Sequence, residues 1–365
     1  MNNSSAISSR AVATWVFIGV GMLLVQVILG GITRLTGSGL SITEWNVVTG
    51  TLPPLNQQQW VTEFEKYKQT QQFYLLHANF NLSDFKFIFF WEWFHRFWAR
   101  MVGVVFIVGF VYLLWKKELK QSMVKPLLIL FCLGALQGAV GWIMVKSGLV
   151  GDAIYVQPTK LAMHFIFALG LICYAFWFAL ELSVSKAKMV CNASLRGWTA
   201  IIIIVLFFQL MVGALMAGHK AAAVASTWPT INGDWIPPAL FKESPWFINF
   251  VENKVTIHFV HRGLAYLLFV MVLVWFVKAK KIANASPLFE KCRYLPLAFV
   301  LAQILLGILA VLQSPSITAN HWGLFEWIAQ FHQFTAMIFL LTMLFMLYLL
   351  KITPGENVAR LKMGA

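Results

Sequence analysis

The sequence predicts an all-α polytopic membrane protein with eight transmembrane helices, arranged as two duplicated parallel four-helix bundles. Three observations carry that expectation. Of the 365 residues, 59% are hydrophobic and only 12% charged, and the mean hydropathy is +0.73; a soluble domain carries about 25% charge. The apolar residues gather into eight uninterrupted runs, each near the roughly 20 residues that cross a bilayer as a helix. A pattern of glutamine, glycine and histidine recurs in both halves of the chain. The same composition excludes a disordered chain, a collagen repeat and a disulfide-stapled secreted scaffold. The net charge of +14 reads as basic cytoplasmic loops, not as affinity for nucleic acid.

Taken in order, the spans are 11–32, 87–115, 126–145, 161–182, 198–218, 255–277, 294–312 and 327–350. The first follows Arg10 as a signal peptide would. Its length of about 20 residues and its share in the repeated pattern make it a span instead. With the N-terminus inside, the five inner segments hold 16 Lys and Arg in 66 residues, against 9 in the 119 residues of the four outer loops. That asymmetry places both termini in the cytoplasm. The first outer loop, 33–86, is the longest. Pro53–Pro54 predicts a turn there, and 57–76 a helix lying on the membrane surface. Cys132 and Cys173 lie in apolar runs, and Cys191 and Cys292 in basic loops. With no CxxC and no CxxCH, neither a zinc knuckle nor a covalent heme attachment is signalled.

The repeat is specific. Gln26–Gly30 (QVILG) in span one is matched by Gln209–Gly213 (QLMVG) in span five, and Gln137–Gly141 (QGAVG) in span three by Gln303–Gly307 (QILLG) in span seven. His95–Arg96 in span two is matched by His261–Arg262 in span six. Two four-span halves, 1–190 and 191–365, follow; each has an even number of spans, so they share one orientation. The glycines read as helix packing through a small residue. The intramembrane glutamine amides need partners that the sequence does not name.

Every even span carries a histidine near its outer end, at matched depth: His95, His164, His261 and His332. Each lies three to eight residues past the start of its apolar run, roughly 5–12 Å below the outer surface. A single intramembrane histidine usually packs or hydrogen-bonds. Four at matched depth, two per bundle, form the ligand sets of two six-coordinate hemes. Zinc is disfavoured because no third and fourth ligand recur at that depth. Arg96, Arg100 and Arg262 stand near the outer face against the charge trend. They suit snorkelling to lipid phosphate or pairing with heme propionates.

The halves differ three residues before the first histidine, where span two has Glu92 and span six has His258. Helical spacing puts Glu92 on the face of His95. It serves either the helix dipole or the chemistry, as an ionisable group beside one heme only. His258 is either a supporting donor or without a role. No role is assigned to His77, His219 or His321.

The run Gly30–Trp45 (GGITRLTGSGLSITEW), Thr49–Pro54 (TGTLPP), Glu92–Arg96 (EWFHR), Thr227–Pro229 (TWP) and Ile257–Arg262 (IHFVHR) together resemble heme A synthase. The resemblance covers nearly the whole chain and is nearest the mitochondrial and alphaproteobacterial branch. It implies an oxidoreductase of the bacterial inner membrane, serving cytochrome oxidase assembly. Such an enzyme oxidises a methyl group of heme O to the formyl of heme A by successive hydroxylations and loss of water. It implies His95 and His164 as holders of the substrate heme and His261 and His332 as ligands of a resident heme b. It also implies Glu92 as the essential acidic residue, and heme O synthase and an electron acceptor as partners; a homo-oligomer is left open. Some relatives carry a cysteine pair in the first outer loop. This chain has none between Thr33 and Lys86, so a thiol redox step does not carry over to it. The rival readings are a di-heme b-type protein passing electrons to or from quinone, and a heme carrier.

Overall fold

The computed structural model describes residues 3–45, 49–282, 285–318 and 322–351. His321 and the end of the chain, which the charge count places in the cytoplasm, lie outside the described residues. The helices are α1 (Asn3–Leu35), α2 (Gln57–Lys68), α3 (Gln71–Leu76), α4 (Leu82–Trp115), α5 (Gln121–Lys146), α6 (Pro158–Ser183), α7 (Ala193–Gly218), α8 (Lys254–Lys280), α9 (Pro287–Cys292), α10 (Leu295–Gln313) and α11 (Leu324–Leu349). Eight are long and apolar enough to cross a membrane: α1, α4, α5, α6, α7, α8, the α9–α10 stretch and α11. Among the described residues the only sheet is a two-residue parallel pair, β1 (Val190–Cys191) and β2 (Leu350–Lys351).

Local chemistry sets the ends that matter. Gly37 takes φ +69 just past α1, and the Ser38 amide donates back to the Thr33 carbonyl at 2.9 Å, a glycine C-terminal cap. α4 starts at Leu82, five residues before the apolar run read from sequence. Asn81 accepts from the Ser83 and Asp84 amides while the Asp84 carboxylate accepts from the Asn81 amide, a capping box that an apolar count does not register. The added turn carries Phe85, fully buried against Phe64 and Tyr67. The surface helix expected over 57–76 forms as two pieces, α2 and α3, broken where the Thr70 hydroxyl accepts from the Phe73 amide. Its aromatic side packs on the outer end of α4, with Trp60 5.0 Å from Phe89 and Phe64 5.0 Å from Phe85, centroid to centroid.

α1, α6, α7 and α11 make the centre: α1 packs on α6 and α11, α6 on α7, and α7 on α11. α4 flanks α1, α5 flanks α6, α8 flanks α7, and α10 lies against α8 and α11. The outer helices therefore turn Val104, Ile107, Val108 and Val111 of α4, and Leu301 and Leu305 of α10, away from the protein. In a bilayer these face lipid. Lipid weakens the apolar drive between helices, so interhelical hydrogen bonds help to hold them. Trp98 Nε1 donates to the Met22 carbonyl at 2.9 Å, Trp198 Nε1 to the Met271 carbonyl at 3.1 Å and Trp275 Nε1 to Thr199 Oγ1 at 2.7 Å.

The long connections meet at one end of the molecule. Gln72 Nε2 donates to the Ile154 carbonyl at 3.2 Å, and Lys220 Nζ sits 3.7 Å from the Tyr155 ring centroid. At the other end the β1–β2 pair ties the turn after α6 to the end of α11. Arg196 donates there to the Leu347 and Leu350 carbonyls.

Candidate functional site

The four intramembrane histidines occupy one kind of socket, each built by the preceding long helix. Gln26 and Gly30 of α1 receive His95 of α4, and Gln137 and Gly141 of α5 receive His164 of α6. Gln209 and Gly213 of α7 receive His261 of α8, and Gln303 and Gly307 of α10 receive His332 of α11. Four residues apart, each glutamine and glycine share a helix face. Gln26, Gln137 and Gln303 donate through Nε2 to the backbone carbonyl of their histidine at 3.2, 3.1 and 2.9 Å. Gln209 Nε2 lies 3.4 Å from His261 Nε2. A Cβ on Gly30, Gly141, Gly213 or Gly307 would come within 3.1, 2.9, 3.1 and 3.3 Å of the facing imidazole Cε1. These are the partners that the intramembrane amides required.

In the second half the rings of His261 and His332 lie with centroids 6.4 Å apart and planes at 70°. A metal–imidazole bond is about 2 Å, so two rings on opposite sides of one metal stand about 6 Å apart. Both Nδ1 atoms are buried and find no hydrogen-bond partner among the described residues. Among those residues no group of three or more His, Cys, Asp or Glu is placed to hold a metal ion. Two nitrogen donors at this spacing therefore suit a metal whose other positions are filled by a macrocycle.

Glu92 lies on α4 one turn from His95 and is 2% exposed. Its Oε2 accepts from Ser41 Oγ at 2.7 Å and from the Ile42 amide at 2.9 Å, and its Oε1 accepts from Arg96 Nη2 at 2.6 Å. Arg96 also donates to the Ile42 and Glu44 carbonyls at 3.3 and 3.4 Å and lies 4.8 Å from the Trp45 ring. Residues 38–45 are thus folded back onto the outer end of α4 and pinned by an ion pair. Ser41 and Ile42 were read from sequence only as part of a family signature. Their contact with Glu92 spans some fifty residues, and no local pattern announces it.

The second half repeats this construction with different chemistry. His258, 1% exposed, accepts through Nδ1 from Arg262 Nε at 3.1 Å. Arg262 also donates to the Thr230, Ala225 and Thr227 carbonyls at 3.0, 3.0 and 2.8 Å, clamping the third outer loop. Arg96 and Arg262 therefore hold loops over the two histidine pairs. Arg100 is half-buried one turn further along α4. His258 Nε2 is buried without a partner among the described residues.

His77 and His219 have structural partners. His77 stacks on Phe80 at 4.0 Å and its Nδ1 lies 2.6 Å from the Tyr67 hydroxyl. His219 Nε2 lies 2.6 Å from the Val251 carbonyl. Burial first, and the Glu92 carboxylate second, push the Tyr67 hydroxyl well above its ordinary pKa, which keeps it a neutral donor to Gln72. Lys66 is held above its ordinary value by hydrogen bonds to Glu63 and Glu44, the latter a 3.0 Å link from α2 to the pinned loop.

Comparison with known proteins agrees with the sequence motifs. Over 264 residues the chain is 43% identical to the heme A synthase of Bradyrhizobium diazoefficiens, covering 72% of this chain and 73% of that one. It is 38% identical to the heme A synthase of Nitrosospira multiformis over 83% of this chain and 85% of that one. It is 37% identical to the heme A synthase of Flavobacterium psychrophilum over 93% and 98%. Residues 13–344, nearly the whole membrane region, match the COX15-CtaA family, described as cytochrome oxidase assembly protein. With eight spans, four socketed histidines and that match, the chain belongs to the COX15-CtaA family of cytochrome oxidase assembly proteins.

Proposed function

We propose that this membrane protein is a heme A synthase, an oxidoreductase that converts a methyl group of heme O to the formyl group of heme A. The observation that carries the reading is the pairing of four histidines, each in a glutamine–glycine socket, with a single buried carboxylate beside one of them. In this reading the half 1–190 holds the substrate heme through His95 and His164, and the half 191–365 holds a resident heme b through His261 and His332. The two unpartnered Nδ1 atoms and the 6.4 Å ring spacing support the second assignment. Arg96 and Arg262 stand at the outer ends of the pockets and Arg100 one turn further along α4, and guanidinium groups suit propionates.

Heme b, when bound, supplies one-electron redox chemistry. The residues of this chain supply position, dryness and a proton acceptor. His95 and His164 would hold the substrate macrocycle beside the carboxylate of Glu92, one turn from His95 on α4. Converting methyl to formyl by two hydroxylations and loss of water removes electrons, which an acceptor must take, and brings oxygen from water or dioxygen. Glu92 is suited to accept the proton of an attacking water, or to stabilise positive charge developing on the carbon. Arg96, Ser41 and the Ile42 amide hold the carboxylate in one orientation. The pinned loop 38–45 excludes bulk water from the same place.

The inner membrane, cytoplasmic termini, and heme O synthase and an electron acceptor as partners follow from the same reading. Co-expression with a source of heme O, followed by chromatography of the extracted hemes, tests it. Heme A or a hydroxylated intermediate on the purified protein is expected. Heme b alone, under conditions where heme O is plentiful, indicates a di-heme electron-transfer protein instead.

A further inference from the structure

Resting on that heme reading, we propose that the four Gln-x-x-x-Gly pairs are positioning residues, each fixing the ring plane of one axial histidine. Helix packing alone explains a glycine, but not what surrounds these four. Gly103, Gly134, Gly138, Gly170 and Gly263 also lie in spanning helices, and a Cβ on any of them would meet no atom within 4 Å; Gly31, Gly109 and Gly218 are crowded, but by a glutamine, an indole and a proline, not by an imidazole. The glycines that follow a glutamine by four residues each face an imidazole Cε1 at 3.3 Å or less. No two of the four segments share the same three residues between glutamine and glycine, so the pair, not the segment, is what recurs.

The glutamine closes the socket from another side. Gln26 Nε2 lies 3.2 and 3.3 Å from the two ring nitrogens of His95, and Gln137 Nε2 lies 3.1 and 3.4 Å from those of His164. An amide nearly equidistant from both nitrogens lies over the ring rather than in line with either. The amide is itself held by the histidine's own carbonyl at 3.2 Å in one case and 3.1 Å in the other. The His95 and His164 imidazoles are therefore bounded by backbone at the Cε1 edge and by an anchored amide on the face, and rotation about the Cβ–Cγ bond meets one or the other; in the second half Gln209 Nε2 lies 3.4 Å from His261 Nε2, and Gln303 anchors the His332 carbonyl at 2.9 Å. Outer partners of this kind orient metal-bound histidines and tune the metal. Ring orientation in a bis-imidazole heme sets the splitting of the iron orbitals, and with it the low-spin electron paramagnetic resonance signal and the reduction potential.

The test uses the purified full-length protein carrying its resident heme, and reads the ferric low-spin signal, the midpoint potential and the heme content. Gly213→Ala and Gly307→Ala press on opposite ligands of one heme. Both are expected to shift the largest g value and the midpoint potential. The shift is expected to be larger in Gly213→Ala, where the added Cβ approaches to 3.1 Å against 3.3 Å. Gln303→Leu adds no bulk and removes the amide, and is expected to broaden or split the low-spin signal with heme retained; it carries the test if a glycine variant does not fold. Gly263→Ala, two residues from His261 but facing open space, is expected to keep the parent spectrum. Parent spectra and potentials in Gly213→Ala and Gln303→Leu, with full heme, would overturn the proposal. A parent protein with no bis-imidazole heme would instead overturn the heme assignment, and the sockets' role with it.

Discussion

A carboxylate taken out of water costs several kcal/mol unless it is paired and hydrogen-bonded, and Glu92 meets three donors. That set of partners could serve the fold, the chemistry or both, and substitutions separate them. Glu92→Gln keeps the shape and leaves the histidine sockets untouched, so heme content should stay near that of the parent. If the carboxylate acts on water or on the methyl carbon, heme A yield should fall by about 10²–10⁴-fold. Parallel assays of bound heme and heme A output check this, and parental output at full heme would leave Glu92 a loop anchor only. Arg96→Ala is the opposite experiment. It strands a buried carboxylate, and the expected loss is about 3–5 kcal/mol of stability, read as a lower unfolding midpoint in detergent. If His261 and His332 ligate a heme as proposed, His261→Ala and His332→Ala should each abolish its low-spin spectrum; a full bis-imidazole spectrum in either would remove that pair from the ligand set.

Between helices, the two junctions that join the halves are built differently. Where α6 meets α7 the contact is dry, with Ala162 and Ala214 buried in one apolar cluster. At the matching junction, α11 meets α1 with amides. Gln330 Nε2 donates to the Ile28 carbonyl at 3.3 Å and Gln333 Nε2 to the Val27 carbonyl at 3.2 Å. Gly31 makes room for this, since a Cβ there would stand 2.3 Å from Gln330 Oε1. The adjacent Gly30 receives His95 on another face of the same helix. Gly31→Ala should therefore displace Gln330, break its bond to Ile28 and cost about 1–3 kcal/mol, the usual range for overpacking. Adding Gln330→Ala should recover part of that loss. Thermal unfolding of the single and double variants measures both, and additive losses in the double variant would show that the two side chains do not compete for one space.

For the whole molecule, the long connections gather at one end and the β1–β2 tie at the other, so the charge count becomes a statement about sidedness. Reporter fusions after α11 and within residues 57–74 should report cytoplasm and periplasm, respectively. A periplasmic C-terminus would reverse the orientation and place the Glu92 end of the protein in the cytoplasm.

The parts legible in the sequence are those governed by neighbours along the chain. A bilayer's thickness makes a run of about 20 apolar residues a span wherever it occurs, so the eight helices needed no tertiary information. The 3.6-residue period alone puts Gln26 on the face of Gly30 and Glu92 on the face of His95. The capping box at Asn81–Asp84 is equally local, and a count of apolar residues overlooks it because its signal is polar. Contacts between distant segments were not legible. Which helix would answer each intramembrane amide, the return of Ser41 and Ile42 onto Glu92, and the use of Arg96 and Arg262 as loop clamps depend on elements that meet only when the bundle closes. The Gly31–Gln330 contact joins residues some three hundred apart, and no property of either one specifies the other. A glycine shows in sequence that something must come close; the assembled helices decide that at Gly30 it is an imidazole, and at Gly31 an amide from the other half.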